Sequence, residues 1–225
     1  NPAPAPQPDT SDEPDTPASD RFRMLRRARR QEPVPTNIVE EENEPEEKQP
    51  APVRKDGLFI GIDLGTTGCR AIAVDASGKL HGEMSAPIPT PPRKDDEVTQ
   101  DPTVWWKAVT GCLQNLLKEI DPQRVQAIAV DGTSGTLLLC DAKGNPVTPA
   151  IMYNDRRAVE QANRIASLAS KDSGAQGASS SLAKLLWLHE RTLDKRAQFA
   201  MHQADWISGK LTGKFGHSHS NNCLK

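Results

Sequence analysis

The chain has 225 residues, of which 26% are charged, and a formal net charge of −2; this length suffices for one good-sized domain and an additional segment. It contains no apolar stretch of about 18 residues, so we expect no membrane-spanning helix. The four cysteines are widely separated and form no C-x-x-C pair, which favours free thiols in a reducing compartment over disulfides or a zinc site. They are Cys69, Cys112, Cys140 and Cys223.

Residues 1–55 differ in composition from the rest of the chain. They hold more than half of the 19 prolines and few large apolar residues. Such a segment cannot bury enough apolar surface to offset the entropy of ordering, so we predict that it is disordered. Its basic run over 21–30 could bind nucleic acid or a membrane surface, but an acidic run follows it over 40–48. We interpret both runs as parts of a solvated linker and predict neither partner.

The ordered part begins near Gly57 and opens with three predicted antiparallel strands, "LFIGID", "RAIAVD" and a third over 80–88. Asp101 and Pro102 are suited to cap and begin a long helix, whose apolar residues recur at helical spacing. The stretch "VQAIAVDG" that follows it is almost continuously apolar, which predicts a buried parallel strand.

The remaining sequence alternates between predicted strands and helices. "TLLLC" and "PAIM" predict strands, and two further helices are predicted to begin at Ser181 and Ala200. Three leading strands followed by this alternation indicate an α/β domain with a mixed sheet and helices on both faces.

Polar residues follow three of the predicted strands. Ligands in open α/β sheets lie beyond the carboxyl ends of the strands, so Asp63, Asp131, Asn154 and Asp155 are candidate site residues. An acidic residue after a strand is also common in ordinary turns, and that alternative stays open for each of them.

The turn "GTTG" between the first two strands is suited to binding phosphate. Gly65 can adopt backbone angles closed to other residues, and Thr66 and Thr67 offer backbone and hydroxyl donors. A cluster of donors can hold a phosphate tail, while Asp63 could hold the accompanying Mg²⁺ directly or through water. An ordinary tight turn is the alternative interpretation.

The stretch "GIDLGTTGCRAIAVDASGKL" resembles the first phosphate-binding loop of the actin, Hsp70 and sugar-kinase superfamily of ribonuclease H-like folds. "DGTSGTLLL", "MYND", "SSSLAKLLWL" and "HQADWISGKLTG" follow in the order seen in FGGY carbohydrate kinases, and look most like the plant and cyanobacterial D-ribulose kinases. Members of the family have two ribonuclease H-like domains. The resemblance implies that residues 57–225 are the N-terminal one and that the C-terminal domain is absent from this chain.

The resemblance implies transfer of the γ-phosphoryl group of ATP, with Mg²⁺, to a sugar hydroxyl. The expected sugar is D-ribulose, a pentulose, with xylulose and glycerol as alternatives. By position, Asp63 serves the Mg²⁺–phosphate end, with Gly65, Thr66, Thr67 and Arg70 around the phosphates; Arg70 could equally be a surface charge. The positions that match the sugar-contacting segments are Asp131, Thr133, Ser134, Gly135, Asn154 and Asp155.

The chain departs from the resemblance at the catalytic base. Related ribulose kinases carry an aspartate as general base in a Ser-Asp-aromatic-Asn-Asn-Ala-Leu-Lys stretch, whereas this chain reads "SHSNNCLK" and has His219 at that position. A neutral imidazole can accept a proton, but a protonated one adds positive charge. A non-catalytic nucleotide-binding relative and an Hsp70- or actin-like ATPase module therefore remain alternatives.

The remaining two properties are the cellular location and the oligomeric state. Plant members of this type act in plastids, which implies a plastid location, with the cytoplasm as the alternative. Residues 1–55 are themselves too acidic for a typical transit peptide. The chain begins with Asn1 rather than Met, so an address signal could precede it, and the sequence gives no oligomeric state.

Overall fold

The computed structural model of the protein describes Pro52, residues 54–191 and residues 195–218. The segment that is predicted to be disordered lies, over residues 1–51, outside this part of the chain. The predicted base His219 also lies outside it. No helix in the described part is long and apolar enough to cross a membrane.

The described elements form two sheets with helices packed beside them. In chain order they are β1 (Leu58–Leu64), β2 (Gly68–Asp75), β3 (Leu80–Pro87), β4 (Arg93–Lys94), β5 (Glu97–Gln100), α1 (Pro102–Glu119), a 3₁₀ turn (Pro122–Arg124), β6 (Val125–Gly132), β7 (Leu137–Cys140), β8 (Ala150–Ile151), α2 (Val159–Ala166), α3 (Ser181–Arg191), β9 (Phe199–His202) and α4 (Gln203–Thr212).

The first sheet has the strand order β3-β2-β1-β6. Its first three strands pair antiparallel, and β6 pairs parallel to β1, so the predicted mixed sheet is confirmed. Alternate residues of β1, from Leu58 to Leu64, are buried on one face, as expected for a strand with one face in the core.

The long helix α1 covers that buried face. Its N-cap is Asp101, whose side chain accepts a hydrogen bond from the backbone N–H of Thr103 at 2.9 Å, and Pro102 is its first residue, both as predicted. Trp105 is fully buried, and its ring meets that of Trp206 of α4 edge to face, with centroids 6.2 Å apart. Both helices therefore belong to one hydrophobic core.

The structure corrects the prediction of a buried strand at "VQAIAVDG". Strand β6 is at the edge of the four-stranded sheet, and Ala127 and Ala129 are exposed, as is 44% of Ile128. The strand is parallel, as predicted, but the described helices α1 and α4 share one core on one side of the sheet. Apolar composition alone does not reveal whether both faces of a strand are covered.

The second sheet has the strand order β4-β5-β8-β7-β9. Strand β9 corrects the helix predicted to begin at Ala200, because residues 199–202 pair antiparallel with β7 and the helix begins only at Gln203. Tertiary pairing here overrides the local helical pattern of residues 200–202. The helix predicted at Ser181 is confirmed as α3.

Candidate active site

Three charged side chains lie side by side where β1 and β6 end. Asp63 of β1 is directly opposite Arg70 of β2 and directly opposite Asp131 of β6. Residues paired in this way point to the same side of a sheet, and all three are exposed. The structure therefore brings together the two acids that the sequence predicted at the carboxyl ends of parallel strands.

The phosphate turn is held by backbone hydrogen bonds. The N–H of Gly65 donates to the carbonyl of Gly68 at 2.9 Å, and the N–H of Ile88 donates to the carbonyl of Thr67 at 2.9 Å. The predicted reason for a glycine at 65 is wrong, because its φ is not in the left-handed region. A Cβ added there would meet only the Gly68 carbonyl, at 3.4 Å, which is ordinary van der Waals contact, so neither the backbone angles nor the space requires a glycine at 65.

A polar cavity of about 570 Å³ lies beside this turn. It is lined by Asp63, Gly65, Thr67 and Arg70, together with residues of β3. Thr66, which the sequence also assigned to phosphate, is half-buried and does not line the cavity. The cavity places backbone, hydroxyl and guanidinium donors beside the Asp63 carboxylate.

Arg70 also has a partner within its own sheet. Its Nε lies 3.1 Å from the Glu83 carboxylate of β3, and both side chains are about half exposed. An exposed ion pair of this kind contributes little to stability, so Arg70 can exchange Glu83 for an anionic ligand at low cost. Both interpretations of Arg70, the phosphate contact and the surface charge, are compatible with this geometry.

The turn after β6 carries the predicted sugar-contacting residues, and they divide into two groups. Asp131 and Ser134 are exposed, although Asp131 also accepts a hydrogen bond from the N–H of Gly132 at 2.9 Å. Thr133 instead uses its N–H and its hydroxyl on the Oε1 atom of Gln203, both at 2.8 Å. Gly135 is buried with φ +80°, which favours glycine. Thr133 and Gly135 therefore shape the turn. Of the four residues, only Asp131 and Ser134 are exposed to a ligand from solvent.

Gln203 was not found by sequence reasoning. Its side chain is fully buried in the first turn of α4, and its Oε1 fixes Thr133 while its Nε2 has no partner among the described residues. A buried amide that holds a turn can be identified only from the structure, because glutamine at the start of a helix has no distinctive pattern. It ties the turn to α4.

A second polar cavity, of about 480 Å³, adjoins this turn. Tyr153 connects the two, because its N–H donates to the Thr136 hydroxyl at 3.0 Å. The buried Oδ1 of Asn154 has no partner within the described part of the chain, so a ligand hydroxyl could donate to it. The residues that line this cavity are Arg93, Asp96, Tyr153, Asn154, Arg156 and Ser179. Of these, the sequence had indicated only Asn154 as a site residue.

Asp155 is not brought to this surface. Its side chain is fully buried, and its carboxylate accepts hydrogen bonds from the N–H of Val98 at 2.6 Å and from both the N–H and the guanidinium of Arg157. Arg157 in turn lies over the Trp187 ring, 4.9 Å from its centroid. This differs from the predicted sugar contact. The carboxylate is saturated by its own chain and stabilises the loop.

The segment that leads to His219 is attached to α4. The Ser218 hydroxyl donates to the Asp205 carboxylate at 2.6 Å, and Asp205 also lies 3.4 Å from Nδ1 of His202. His219 itself is outside the described residues, so its position as the family's base stays a prediction. Ser218, which precedes it, lies beside the first turn of α4.

Asp63 and Asp131, at the ends of β1 and β6, suit a metal ion that is bound together with a nucleotide. No group of three or more His, Cys, Asp or Glu side chains that could hold a metal ion exists in the described part. Mg²⁺ bound together with a nucleotide needs only one or two carboxylates, because phosphate and water complete its shell. Asp63 and Asp131 supply that number and no more.

Comparison with known proteins agrees with this geometry. Residues 58–223 match the FGGY family of carbohydrate kinases, N-terminal domain. Xylulose kinase of Staphylococcus xylosus is 31% identical over 162 residues, which cover 68% of this chain and 34% of that protein. The chain therefore belongs to the FGGY family of carbohydrate kinases, and the predicted family and fold class are confirmed.

Solved structures show the same fold at lower identity. Gluconate kinase from Lactobacillus acidophilus has a TM-score of 0.63 at 23% identity, covering 71% of this chain and 34% of that one. Plasmodium falciparum glycerol kinase with ADP has a TM-score of 0.59 at 16% identity, covering 69% and 34%. The chain spans about a third of the length of these relatives.

Proposed function

We propose that the chain is the N-terminal domain of an ATP-dependent sugar kinase whose preferred acceptor is D-ribulose. The observation that carries this proposal is the pairing of Asp63 with Asp131. It joins a phosphate turn after β1 to a polyol-binding turn after β6, and phosphoryl transfer depends mainly on holding two reactants together.

At the phosphate end, the turn and the exposed basic residue neutralise charge. The N–H and hydroxyl groups near Thr67 and the Arg70 guanidinium are the donors around the cavity. Asp63 would hold Mg²⁺, which would supply charge neutralisation between the phosphate oxygens. The glycerol kinase of similar fold was solved with ADP, which supports a nucleotide as the ligand of this turn.

At the sugar end, exposed donors and acceptors follow one another on a short backbone. Asp131 and Ser134 offer an exposed acceptor and an exposed hydroxyl, and the buried, unpartnered Oδ1 of Asn154, on the loop after β8, is a second acceptor for a ligand that reaches it. A pentulose presents several hydroxyls at fixed spacing, which a row of such groups can recognise. The choice of D-ribulose over xylulose or glycerol rests on the resemblance of "DGTSGTLLL" and "HQADWISGKLTG", since the relatives include xylulose and glycerol kinases.

The proton of the acceptor hydroxyl goes to His219 in this proposal. An unperturbed imidazole has a pKa of about 6.5, so it is mostly neutral and able to accept a proton near pH 7. The hydrogen bond from Ser218 to Asp205 fixes the residue that precedes His219. By the same family resemblance, we propose that the protein acts in plastids.

A sugar acid is a second candidate acceptor. Arg93 and Arg156 both line the cavity that contains Tyr153 and Asn154, and neither forms an ion pair with a described carboxylate. Two guanidinium groups at one cavity suit a carboxylate-bearing sugar, and a gluconate kinase has a similar fold.

Titration calorimetry tests the proposal directly. D-Ribulose, xylulose, glycerol and gluconate are offered separately to the chain, with Asp131→Asn as the site variant and Asp172→Asn as an exposed control. We expect the tightest binding for D-ribulose, weakened by about tenfold or more in Asp131→Asn because a hydrogen bond to a charged group is lost. Tightest binding of gluconate would support the second candidate. Nucleotide binding without any sugar binding would identify a non-catalytic relative, and a peptide-stimulated ATPase would identify an Hsp70-like module.

A further inference from the structure

Lys184 is a fully buried lysine on α3. Its Nζ donates one hydrogen bond to the carbonyl of Gly135 and one to the carbonyl of Met152, each at 2.8 Å. No carboxylate of the described part lies within ion-pair distance of it. The amine is therefore held by backbone oxygens of two separate loops.

Both loops belong to the candidate sugar site. Gly135 lies in the turn with Thr133 and Ser134, and Met152 immediately precedes Tyr153 and Asn154. The amine of Lys184 therefore connects the turn after β6 to the loop after β8 from beneath. A second link, between the Tyr153 N–H and the Thr136 hydroxyl, fixes the same two segments to each other.

Packing alone does not explain a lysine at this buried position. Removing a charged group from water costs on the order of several kcal/mol in proteins unless hydrogen bonds or opposite charges offset it. Burial lowers the pKa of Lys184 to about 8; the nearby charge of Asp155 opposes this shift and that of Arg157 adds to it. An apolar residue of similar length would fill the space without this cost, but it could not bond two carbonyls.

We propose that Lys184 is a positioning residue that fixes the spacing between the Thr133–Thr136 turn and the Tyr153–Asn154 loop, and thereby the geometry of the sugar site. The inference rests on the proposed function, because it takes these loops as the sugar-binding loops. Lys184 lies beneath them and acts through the loops, not by touching the sugar.

The test compares Lys184→Met with Leu188→Ala. Leu188 is on the same helix, is also buried, and packs in one apolar cluster with Leu137 and Ile151, which flank the two loops. Its truncation therefore reports the effect of lost packing beside the loops while the amine of Lys184 is retained. The first measurement is amide hydrogen exchange. We expect Lys184→Met to lose protection in both loops while α1 keeps its protection, and Leu188→Ala not to show this pattern. Unchanged exchange in the two loops overturns the proposal.

The second measurement is binding of D-ribulose and of MgADP by titration calorimetry. Lys184→Met should bind D-ribulose about tenfold more weakly or worse, with MgADP affinity changed by less than about twofold. Equal loss of both ligands, or an equal loss of sugar affinity in Leu188→Ala, shows a merely structural role and overturns the proposal. If the native chain binds no sugar, the proposed function fails, while the exchange experiment still decides whether Lys184 fixes the loops.

A variant that keeps a donor guards against loss of folding. Lys184→Gln retains an amide NH2 group with two N–H donors, but the group is uncharged and the side chain is one bond shorter than that of lysine. If Lys184→Met does not fold, we expect Lys184→Gln to fold and to show partial loss of protection in one or both loops. Full native protection of both loops in Lys184→Gln contradicts the requirement for an amine that bonds two carbonyls.

Discussion

Asp63 and Asp131 lie directly opposite each other on the parallel strands β1 and β6, with backbones about 4.8 Å apart as in any sheet. Two exposed carboxylates at this spacing repel each other unless a cation or a hydrogen-bonded ligand lies between them. Arg70, opposite Asp63 on β2, offsets part of this repulsion, and a cation bound at Asp63, as the proposed function requires, would offset more of it.

Replacing Asp63 by Asn should weaken the binding of Mg²⁺–nucleotide. The amide cannot supply the anionic oxygen that Mg²⁺ prefers, so we expect a loss of about tenfold or more in MgADP affinity. ADP affinity in EDTA should change little. Titration calorimetry of the chain joined to the remaining part of a close relative measures both, with Asp172→Asn as the exposed control. Identical Mg²⁺ dependence in the Asp63 variant and the native chain would remove Asp63 from the site.

Asp155→Asn should reduce stability more than it alters any ligand contact. The change puts an N–H donor among donors and leaves the largely buried guanidinium of Arg157 with only the half-exposed Glu97 as an anionic partner, which we expect to cost about 3–5 kcal/mol. Urea denaturation measures this loss. Glu97→Gln is the matched control, because Glu97 also faces Arg157, at 3.7 Å, but is half exposed and should contribute less than about 1 kcal/mol. A fully stable Asp155→Asn would contradict the structural role of this carboxylate.

The pKa of Lys184 predicts a change of stability with pH. Its pKa is about 8 in the folded protein against an ordinary value of 10.5, so between these values the unfolded chain binds the extra proton. Stability due to Lys184 therefore rises as pH rises through this window, by at most about 3 kcal/mol. Below pH 8 both states are protonated and this contribution no longer changes.

Buried thiols lower the stability of the folded protein as pH rises, opposite to the effect of Lys184. The effect of Lys184 is therefore measured as a difference between the native chain and a variant. Burial raises the pKa of both Cys69 and Cys140 to about 12, so they remove stability above pH 9, where the unfolded thiols ionise. The difference in free energy of unfolding between the native chain and Lys184→Met cancels this effect. That difference should increase from pH 8 to pH 10.5. A difference that stays constant with pH would show that the pKa of Lys184 is not lowered.

Much of the fold could be predicted because local patterns and tertiary contacts agree there. The strand at "LFIGID" and the cap at Asp101 rest on local signals, and both are confirmed. The exposure of β6 and the strand β9 could not be predicted, because they depend on which segments pair and pack at a distance.

The candidate site divides in the same way. Asp63 and Asp131 could be found from their positions after predicted strands. By contrast, the saturated carboxylate of Asp155, the amide of Gln203 and the amine of Lys184 act through partners that are between 2 and 70 residues away in sequence. No short stretch of sequence reveals whether such a polar group faces a ligand or the interior.

Sugar-dependent turnover decides whether this domain belongs to a pentulose kinase. The chain spans about a third of its relatives' length, so the assay joins it to the remaining part of a close relative and measures ADP release with D-ribulose, xylulose and glycerol across a pH series. We predict D-ribulose-dependent release that is lost in Asp63→Asn and falls at acidic pH, where a histidine base would be protonated. It should increase in His219→Asp, since a matched base is worth about 10²–10⁴-fold. ADP release that needs no sugar, or that Asp63→Asn leaves unchanged, would contradict the account.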